Sequence, residues 1–536
     1  MRPHLAIVAL AVVLSCGSIA TAQDMVFTTE EASGGAPPPP AEGPPSEALA
    51  NALRLYQQEA YREGAVQFQR VVEGHTRDAP ANVQKAQFFL GKCLFHLRFY
   101  QSALSVFEEI VQQGGSHTYF RATLQWLAQL SRELPEPAGI IGLTGHYGDS
   151  LEVLSEFNTP ETRDLYYELL YLMGRHWYDQ GEFTAARRFF LEVGEESRYF
   201  YHSRFFAGIT HVRERHAQPA VRMFRQILDR LDNRLFLSRE ERRFRDLAWL
   251  SLARIYYSTR HWDSAIEAWN HIPPSSEYWL DSLFEQSWAR FQIDHFDRAL
   301  GNIHTLNSPY FETSFYPEAL VLQAVIYFSQ CDYDRAEQSV NRFTDTYQPI
   351  RDELESSIRQ YQDNAAFFEF LRRVREERAE LSQDVMRVVR NTLNDRTLLR
   401  NIEYVRVLEE EEERLNQMPP AFRNSTVGAR ILQDIAAARA VAVDNAGNLA
   451  RSRYQRLLEE LQELLNQSTA ILIEILNARR GEINQEIRDE QVTATPTRAN
   501  RTVEGDREHV IWPFDGEYWR DELGYYRQPI VSQCGR

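Results

Sequence analysis

The 536-residue sequence is poor in the residues that build metal clusters and disulfide frameworks. It has four cysteines, Cys16, Cys93, Cys331 and Cys534, which are far apart and form no CxxC pair. This spacing predicts neither a zinc cluster nor a disulfide framework. We therefore interpret Cys93 and Cys331 as small apolar core residues and expect Cys534, near the chain end, to be exposed.

Motifs of common catalytic and nucleotide-binding sites are also missing. The sequence contains no HExxH, no Walker loop and no GxSxG. Its 14 histidines are scattered. The nearest candidates, His211 and His216, are five residues apart and would not share a helix face well enough to hold a metal ion. We predict a protein that is not an enzyme and has no cofactor and no metal.

Long apolar runs and net positive charge are lacking too. After residue 22 no apolar run approaches the roughly 20 residues that cross a bilayer, so no transmembrane helix is predicted in the mature chain. The formal net charge is −17, and such a surface repels the phosphate backbone of nucleic acids. Aromatic residues make up 12% of the chain and apolar residues 43%, which is enough for a large core.

The first 22 residues have the organisation of a secretory signal peptide. A weakly basic start precedes an apolar run over 5–14, and Ala20-Thr21-Ala22 offers a small-x-small cleavage site. The segment 13–16 resembles a bacterial lipobox, in which Cys16 would be lipidated and anchored to a membrane. The residues leave both alternatives open. Either predicts an exported protein of the periplasm or of the periplasmic face of the outer membrane.

Residues 23–46 are predicted to be a disordered, proline-rich linker. The segment contains four successive prolines at 37–40 and two more at 44–45. It lacks the apolar residues that would offset the entropy of ordering, and its prolines favour an extended spacer. The linker would hold the folded part away from whatever the N-terminus contacts.

Small residues recur in pairs twelve positions apart over residues 47–348. An aromatic residue generally stands three positions before the second small residue, and a bulky apolar residue stands four positions after it. The small residues of the seven copies are Ala52 and Gly64, Gly91 and Ala103, Gly174 and Ala186, Gly208 and Ala220, Ala253 and Ala265, Ser287 and Ala299, and Ala324 and Ala336. Successive second small residues lie 39, 83, 34, 45, 34 and 37 positions apart. The longest interval leaves room for one degenerate copy around 119–148.

This pattern resembles the tetratricopeptide repeat, a helix–turn–helix unit of about 34 residues. Leu90-Gly91 with Leu94 is similar to the signature of the family's first helix, helix A. The resemblance implies an all-α solenoid of seven or eight helix pairs. The first small residue would let helix A approach helix B, and the second would let helix B approach the next repeat. Another α-solenoid, of the Sel1-like or HEAT-like kind, is the alternative.

The resemblance also implies where partners bind. Stacked repeats form a superhelix whose concave face holds a peptide or helix of another protein. In the family this face is lined by helix-A side chains, which here are Lys85, Phe88, Lys92, Phe95, Arg175, Tyr178, His202, Phe205, Arg254, Tyr257, Phe291 and Phe328. Arginine and tyrosine are typical of binding hot spots, and the basic members favour a partner with carboxylates. Some of the aromatic members would instead be inter-repeat core.

Residues 350–490 are predicted to form an antiparallel helical hairpin or coiled coil. The segment 350–416 reads as one long helix or two short ones, and its glutamate run at 409–413 as a solvated helix face. Two prolines at 419–420 must break the helix, and a second long helix is predicted over 426–488. Its predicted coiled-coil seam is Ala436, Ala440, Val443, Gly447, Ala450, Tyr454, Leu457, Leu461, Leu464, Ser468, Ile471 and Ile475. A parallel homodimer through this helix is the alternative.

The chain closes with a predicted linker at 491–506 and an aromatic tail at 507–536. The candidate docking residues of the tail are Trp512, Phe514, Tyr518, Trp519, Tyr525 and Tyr526. Two interpretations are open. The tail packs as a lid on the hairpin or the last repeat, or it stays free as a docking peptide with aromatic anchors.

These features predict a non-catalytic scaffold or adaptor of the bacterial cell envelope that binds other envelope proteins. Signal peptide and helix-pair repeats together resemble exported tetratricopeptide proteins, among them the outer-membrane assembly lipoprotein class, the cell-division coordinator class and the gliding-motility proteins of myxobacteria. The alternative is a structural protein that oligomerises through its C-terminal helices within an envelope machine.

Overall fold

The described part of the chain consists of α-helices joined by turns and short 3-10 segments. The computed structural model describes residues 43–311, 314–393, 395–489 and 518–534, except the side chains of residues 137, 392 and 482–489. No strand occurs within these ranges, so the all-α prediction is confirmed. The helices are α1 (Glu47–Gln57), α2 (Tyr61–Val72), α3 (Pro80–His96), α4 (Tyr100–Gln113), α5 (Phe120–Glu133), α6 (Ile140–Thr144), α7 (Arg163–Asp179), α8 (Phe183–Glu192), α9 (Phe200–Arg213), α10 (Ala217–Leu231), α11 (Arg239–Ser258), α12 (Trp262–Asn270), α13 (Trp279–Gln292), α14 (Phe296–Leu306), α15 (Pro317–Ser329), α16 (Tyr333–Gln360), α17 (Asn364–Arg375), α18 (Gln383–Leu393), α19 (Arg396–Asn416), α20 (Pro420–Arg423) and α21 (Thr426–Asp489).

Several predicted segments lie outside the described residues. They are the signal peptide at 1–22 with Cys16, the linker up to residue 42, the linker at 491–506, and the tail residues Trp512 and Phe514. No helix in the described ranges has both the length and the apolar character needed to cross a membrane.

Seven helix pairs share one kind of turn. The pairs are α1–α2, α3–α4, α7–α8, α9–α10, α11–α12, α13–α14 and α15–α16. In each turn one residue has a positive φ, between 56° and 80°, and these residues are Glu59, Arg98, Gly181, Arg215, Arg260, Asp294 and Cys331. Each of these residues lies five positions before the second small residue of its repeat, so they recur at the same intervals along the sequence. The left-handed residue reverses the chain so that helix B packs back against helix A.

The small residues serve the close packing predicted for them. A Cβ atom added to Gly91 would lie 2.7 Å from the ring of Phe107, and one added to Gly174 would lie 2.6 Å from Phe190. A Cβ atom on Gly208 would lie 2.7 Å from Phe224. In each pair the phenylalanine is the bulky residue four positions after the second small residue. The sequence pattern is therefore a packing pattern, in which helix A lacks a side chain where helix B inserts a ring.

The 83-residue interval contains a degenerate repeat. Its first helix, α5, is followed by the five-residue α6 and by 3-10 segments at Glu136–Ala138, Gly145–Tyr147 and Leu151–Phe157, without a full second helix. Tyr147 closes this region by stacking on Phe120, with ring centroids 4.3 Å apart. Proline and glycine are frequent between residues 135 and 148, and both disfavour a continuous helix.

The region after the repeats contains more helices than the sequence indicated. Pro349 lies inside α16, so no helix ends at the predicted boundary near 348–350. The prediction of one or two helices over 350–416 is wrong, because α17, α18 and α19 follow the end of α16. Asp363 and Asp395 begin two of them, since their carboxylates accept hydrogen bonds from Ala366 N and from Leu398 N.

The long helix α21 forms the predicted antiparallel pair with α19, with α20 in the bend at the prolines. It also packs against α4, α17, α16 and α15, so the pair is no free-standing hairpin. Near its start Arg430 pairs with Glu109 of α4 at 2.6 Å. Near its end Arg479 pairs with Glu337 of α16 at 2.7 Å. The two arginines are about 70 Å apart at 1.5 Å per residue, so α21 links the second repeat to the last.

The predicted seam of α21 is wrong at its start and largely correct from Gly447 onward. Ala436 and Ala440 are exposed, and the buried residues there are Ile431, Ile435, Ala442 and Ala446. Gly447 is buried, and a Cβ atom on it would overlap the backbone of Asn364 in α17, which fits the predicted close helix approach. Further along, the predicted positions Ala450, Tyr454, Leu457, Leu461, Leu464, Ser468 and Ile475 are buried, Ile471 is half-buried, and Leu465 is buried outside the predicted seam. A straight helix has 3.6 residues per turn, so a strict three–four alternation drifts off one face within a few turns.

Candidate partner-binding site

All members of the predicted partner-binding set are half-buried except Phe88, which is buried. The half-buried members include Lys85, Lys92, Phe95, Arg175, Tyr178, His202, Arg254, Tyr257, Phe291 and Phe328. The half-buried state fits both inter-repeat packing and partner binding. The neighbours of each residue distinguish these roles.

The aromatic members of the set close the repeat turns. Tyr257 contacts Trp262, the first residue of helix B, with ring centroids 4.9 Å apart. The same pairing joins Phe95 to Tyr100, Tyr178 to Phe183, Phe291 to Phe296 and Phe328 to Tyr333, at 5.3 to 5.8 Å. Burial raises the pKa of Tyr257 to about 12. These rings have a packing role at five of the seven turns, which accounts for their spacing without a partner.

The arginines of the middle repeats have carboxylate partners within the chain. Arg254 of α11 donates two hydrogen bonds to Glu285 of the next repeat, at 2.6 and 3.0 Å. Arg175 of α7 pairs with Glu136, and the other oxygen of Glu136 pairs with Arg400 of α19. Only 12% of the Arg175 side chain is exposed. The chain's own C-terminal region thus covers this part of the helix-A face.

His202 lies in the same covered region. Burial lowers its pKa to about 4, and the positive charges of Arg243 and Arg175 act in the same direction. Its Nε2 atom is 3.2 Å from Glu240 Oε1. The neutral, half-buried imidazole lies against Phe244 and Tyr171, with ring centroids 4.5 and 5.6 Å away, and is part of the internal packing of the middle repeats.

Lys92 has a different environment. Its ammonium nitrogen lies 4.7 Å from the ring centroid of Tyr56, 4.6 Å from Phe89, 5.3 Å from Trp126 and 5.7 Å from Phe88. We call these four rings the Lys92 box. The rings attract the cation, while burial lowers its pKa. No ion pair joins Lys92 to a carboxylate of the described residues.

A pocket of about 440 Å³ adjoins the Lys92 box. It lies between α3, α5 and α7, and its lining includes Phe95, Gln125, Glu133 and Asp164. The ring of Phe95 is 5.3 Å from Trp126, the same ring that contacts Lys92. The box and the pocket therefore form one continuous surface, which offers the cation of Lys92 and, beside it, the carboxylates of Glu133, Glu161 and Asp164 together with the guanidinium of Arg132.

The described part of the tail is packed against the last repeats. The backbone N–H of Gly524 donates to Thr305 Oγ1 at 2.9 Å, and Gln528 N donates to the carbonyl of Asp297 at 3.0 Å. Tyr518 stacks on His304 at 4.5 Å. Residues 518–534 thus follow the packed interpretation. Trp519 and Tyr525 remain exposed, while Tyr526 is half-buried.

A disulfide fixes the end of the tail, so the core role predicted for Cys331 is wrong, whereas Cys534 is exposed as predicted. Cys331 is bonded to Cys534. Cys331 was expected in the core, but it is the left-handed turn residue of the last repeat, where its side chain reaches the tail. The sequence separation of 203 residues gives no local signal for the pairing. Cys93 is a buried free thiol, as predicted.

Glu411 was missed because it lies in a run of five glutamates. The run was interpreted as a solvated face, but Glu411 is only 1% exposed. Its carboxylate accepts hydrogen bonds from the backbone N–H groups of Tyr100 at 3.0 Å and Gln101 at 3.2 Å, at the start of α4. Burial raises its pKa to about 8. This residue docks α19 on the second repeat.

The geometric reason for excluding a histidine pair is also wrong. His211 is in the last turn of α9, which ends at Arg213, and His216 follows the left-handed residue Arg215. The turn brings the two rings to a centroid distance of 6.3 Å. The helix-face argument does not apply, because the two residues are not on one helix.

Comparisons with known proteins find similarity only at the level of structure. No protein-family model and no curated protein matches the sequence. A tetratricopeptide repeat protein from Parabacteroides merdae is 12% identical over 56% of this chain and 93% of its own, with a TM-score of 0.28. The apo form of RapI is 12% identical over 68% and 98%, with a TM-score of 0.33. The TPR domain of P58(IPK) is 13% identical over 80% and 98%, with a TM-score of 0.18. On the geometry of their own turns, the helix pairs between α1 and α16 form an α-solenoid whose repeat is similar to the tetratricopeptide repeat.

Proposed function

We propose that this chain is a non-catalytic scaffold of the bacterial cell envelope and that it binds a partner protein at the Lys92 box and the adjoining pocket. The middle of the helix-A face is covered by α19 through Arg400. The first three helix-A elements, α1, α3 and α5, carry the box instead. Binding is therefore placed at the N-terminal end of the solenoid.

The observation that carries this proposal is the cation of Lys92. A half-buried ammonium group without a carboxylate partner in the described residues is incompletely neutralised. A carboxylate of a partner would supply the missing charge while the four rings hold the adjacent apolar atoms. Glu133 and Asp164 in the pocket complement a basic group on the same partner segment.

Export of the protein is part of the proposal. Disulfides form and persist in oxidising compartments such as the periplasm and are rare in the cytosol. The Cys331–Cys534 bond therefore supports the location expected from the signal-peptide pattern at 1–22.

Fractionation of the native cells, combined with alkylation of free thiols, tests export. The protein should be in the periplasmic or outer-membrane fraction with only Cys93 alkylated after unfolding. A cytosolic protein with reduced Cys331 and Cys534 would contradict export.

Site-specific photocrosslinking in the native host tests the binding surface. A photoreactive amino acid replaces Gln125, an exposed residue of the pocket, and in a second strain replaces Leu235, which is 93% exposed in the turn before α11. We expect a specific crosslinked protein from position 125 and none from position 235.

Charge reversal at Lys92 provides the matched control. Lys92→Glu should abolish the crosslink from position 125, because a carboxylate in the box repels an acidic partner group. Lys85→Glu changes the only other lysine of the chain. This variant should retain most of the crosslink from position 125. Circular dichroism shows that each variant is folded. A crosslink that persists unchanged in Lys92→Glu contradicts binding at the box.

A further inference from the structure

A cluster of metal-ligating side chains lies at the turn between α9 and α10, far from the Lys92 box in sequence. His211, Glu214 and His216 each offer one potential ligand atom, and these atoms all lie within 4.8 Å of one another. His216 Nδ1 is 3.4 Å from Glu214 Oε2. Among the described residues this is the one group of three or more histidine, cysteine and acidic side chains with such geometry.

The repeat turn creates this arrangement. Because Arg215 is left-handed with φ of 61°, the chain reverses directly after α9. The backbone N–H of His216 then donates to the carbonyl of His211 at 2.8 Å. The ligands at positions 211, 214 and 216 are thereby held on one side of a rigid, hydrogen-bonded turn. A preformed arrangement lowers the entropic cost of binding an ion.

We propose that this turn binds one divalent transition-metal ion of the Zn²⁺ class. Two imidazole nitrogens and one carboxylate oxygen form a ligand set that zinc accepts, with a water molecule in the fourth position. Imidazole ligands favour Zn²⁺, Ni²⁺ and Cu²⁺ over Mg²⁺ and Ca²⁺, which prefer oxygen. His211 Nδ1 is inaccessible to solvent and has no hydrogen-bond partner, so the ring is not committed to a structural hydrogen bond at that atom.

Arg187 of α8 competes for one of the ligands. Its guanidinium donates to Glu214 Oε2 at 2.6 Å and to Oε1 at 3.4 Å. A bound cation must share Glu214 with this arginine and is repelled by its charge. Removal of the Arg187 charge should therefore strengthen metal binding. If His211, Glu214 and His216 had only structural roles, this removal would not increase the affinity for a metal ion.

The turns of the next two repeats provide matched controls. His261 and His295 occupy the position of His216 one and two repeats later, directly after the left-handed residues Arg260 and Asp294. The positions equivalent to His211 and Glu214 are Tyr256 and Thr259 in the first of these turns. A histidine at this position alone lacks the other two ligands.

Titration calorimetry of the full mature chain with ZnCl₂ tests the proposal, and visible absorption with Co²⁺ reports the coordination geometry. We expect the wild-type chain to bind one zinc ion. The affinity for zinc should fall at least about tenfold in His216→Ala and in His211→Ala. It should rise in Arg187→Gln and stay unchanged in His261→Ala and His295→Ala. Circular dichroism checks that each variant is folded. The proposal is overturned if the wild-type chain binds no zinc, if His216→Ala binds it as tightly as the wild type, or if His261→Ala removes it.

Discussion

Gly208 shows how little space separates the two helices of a repeat. A single methyl group there would lie 2.7 Å from the ring of Phe224, which is fully buried. The ring cannot move away without displacing its own neighbours, so the helices themselves would have to separate. The identity of one small residue thus determines the distance between two helices.

Gly208→Ala should destabilise the protein. Overpacking of a filled interior costs about 1–3 kcal/mol, which exceeds the roughly 1 kcal/mol that alanine gains over glycine inside a helix. Urea unfolding measures the difference. Gly142→Ala is the matched control, because Gly142 is exposed in α6 and an added Cβ atom has no atom within 4 Å. Equal stability of the two variants would contradict the packing role of the small residues.

Glu411 should make stability depend on pH. Burial is the main cause of its raised pKa of about 8, opposed by the N–H groups of Gln101 and Tyr100 and the charge of Arg414. The folded chain holds this proton more tightly than the unfolded chain, whose carboxyl has an ordinary pKa. The contribution is complete below the unfolded pKa and is lost as the pH rises towards 8, by up to about 1.4 kcal/mol per pH unit.

Glu411→Gln should remove that slope, because glutamine does not titrate and its carbonyl oxygen can still accept from the start of α4. Urea midpoints at pH 5 to 8 provide the measurement. Glu410→Gln, at the exposed neighbour, should keep the wild-type slope. If Glu411→Gln and the wild type lose stability equally over this range, the buried carboxyl is not the cause.

Residue-level patterns in the sequence predicted the packing of the repeats but not the environment of single side chains. The twelve-residue spacing identified Gly91, Gly174 and Gly208 as close contacts, because it reports a local helix–turn–helix geometry. Glu411 could not be distinguished from the glutamates beside it. Its burial depends on α4, about 300 positions earlier in the chain.

The tail is an element whose position depends on one covalent bond and a few hydrogen bonds. Gly301 of α14 allows the approach, since a Cβ atom there would overlap the backbone of Tyr526. Leu523 is the tail residue buried in the core of the last repeats. Tyr518, Tyr526 and Ile530 are partly buried against the same core, and the disulfide adds a covalent attachment to these contacts.

Cys534→Ser should release the tail. We expect faster hydrogen exchange at the amides of Gly524 and Gln528, which are bonded to Thr305 and Asp297 in the packed state. A reductant should change the wild-type chain in the same way and leave Cys534→Ser unaffected. Cys93→Ala, at the buried free thiol, should leave the tail protected. Unchanged protection at both amides in Cys534→Ser would show that the disulfide is not needed.

Helix α21 illustrates what element-level prediction can achieve. Its limits were predicted within one residue, because prolines end α19 and a long periodic segment follows. The helices that pack against α21 were not predicted. A seam of Ala450, Tyr454 and Leu457 has the same sequence pattern whether it faces a second chain or α16 and α17 of the same chain. The period of a sequence reports a buried face and not what covers it.

At the scale of the whole molecule, the burial of that face argues for a monomer. The buried apolar residues of α21 from Ile431 to Ile475 contact other parts of the same chain, so the buried face of its described part is already occupied. Light scattering after size-exclusion chromatography should give the mass of one chain at micromolar concentration. A dimer that survives Ile473→Glu and Leu476→Glu, at two of the exposed apolar positions of α21, would contradict this expectation.

Helix α21 also sets the mechanical character of the array. Repeat proteins that are free at both ends unfold from their termini and extend like a spring, because each unit contacts only its neighbours. Here the ion pairs of Arg430 and Arg479 attach one rod to the second repeat and to the last, so neither repeat can separate from the array without breaking its own contacts with α21. Under tension the array should behave as a stiff strut that keeps the distance between these two repeats constant.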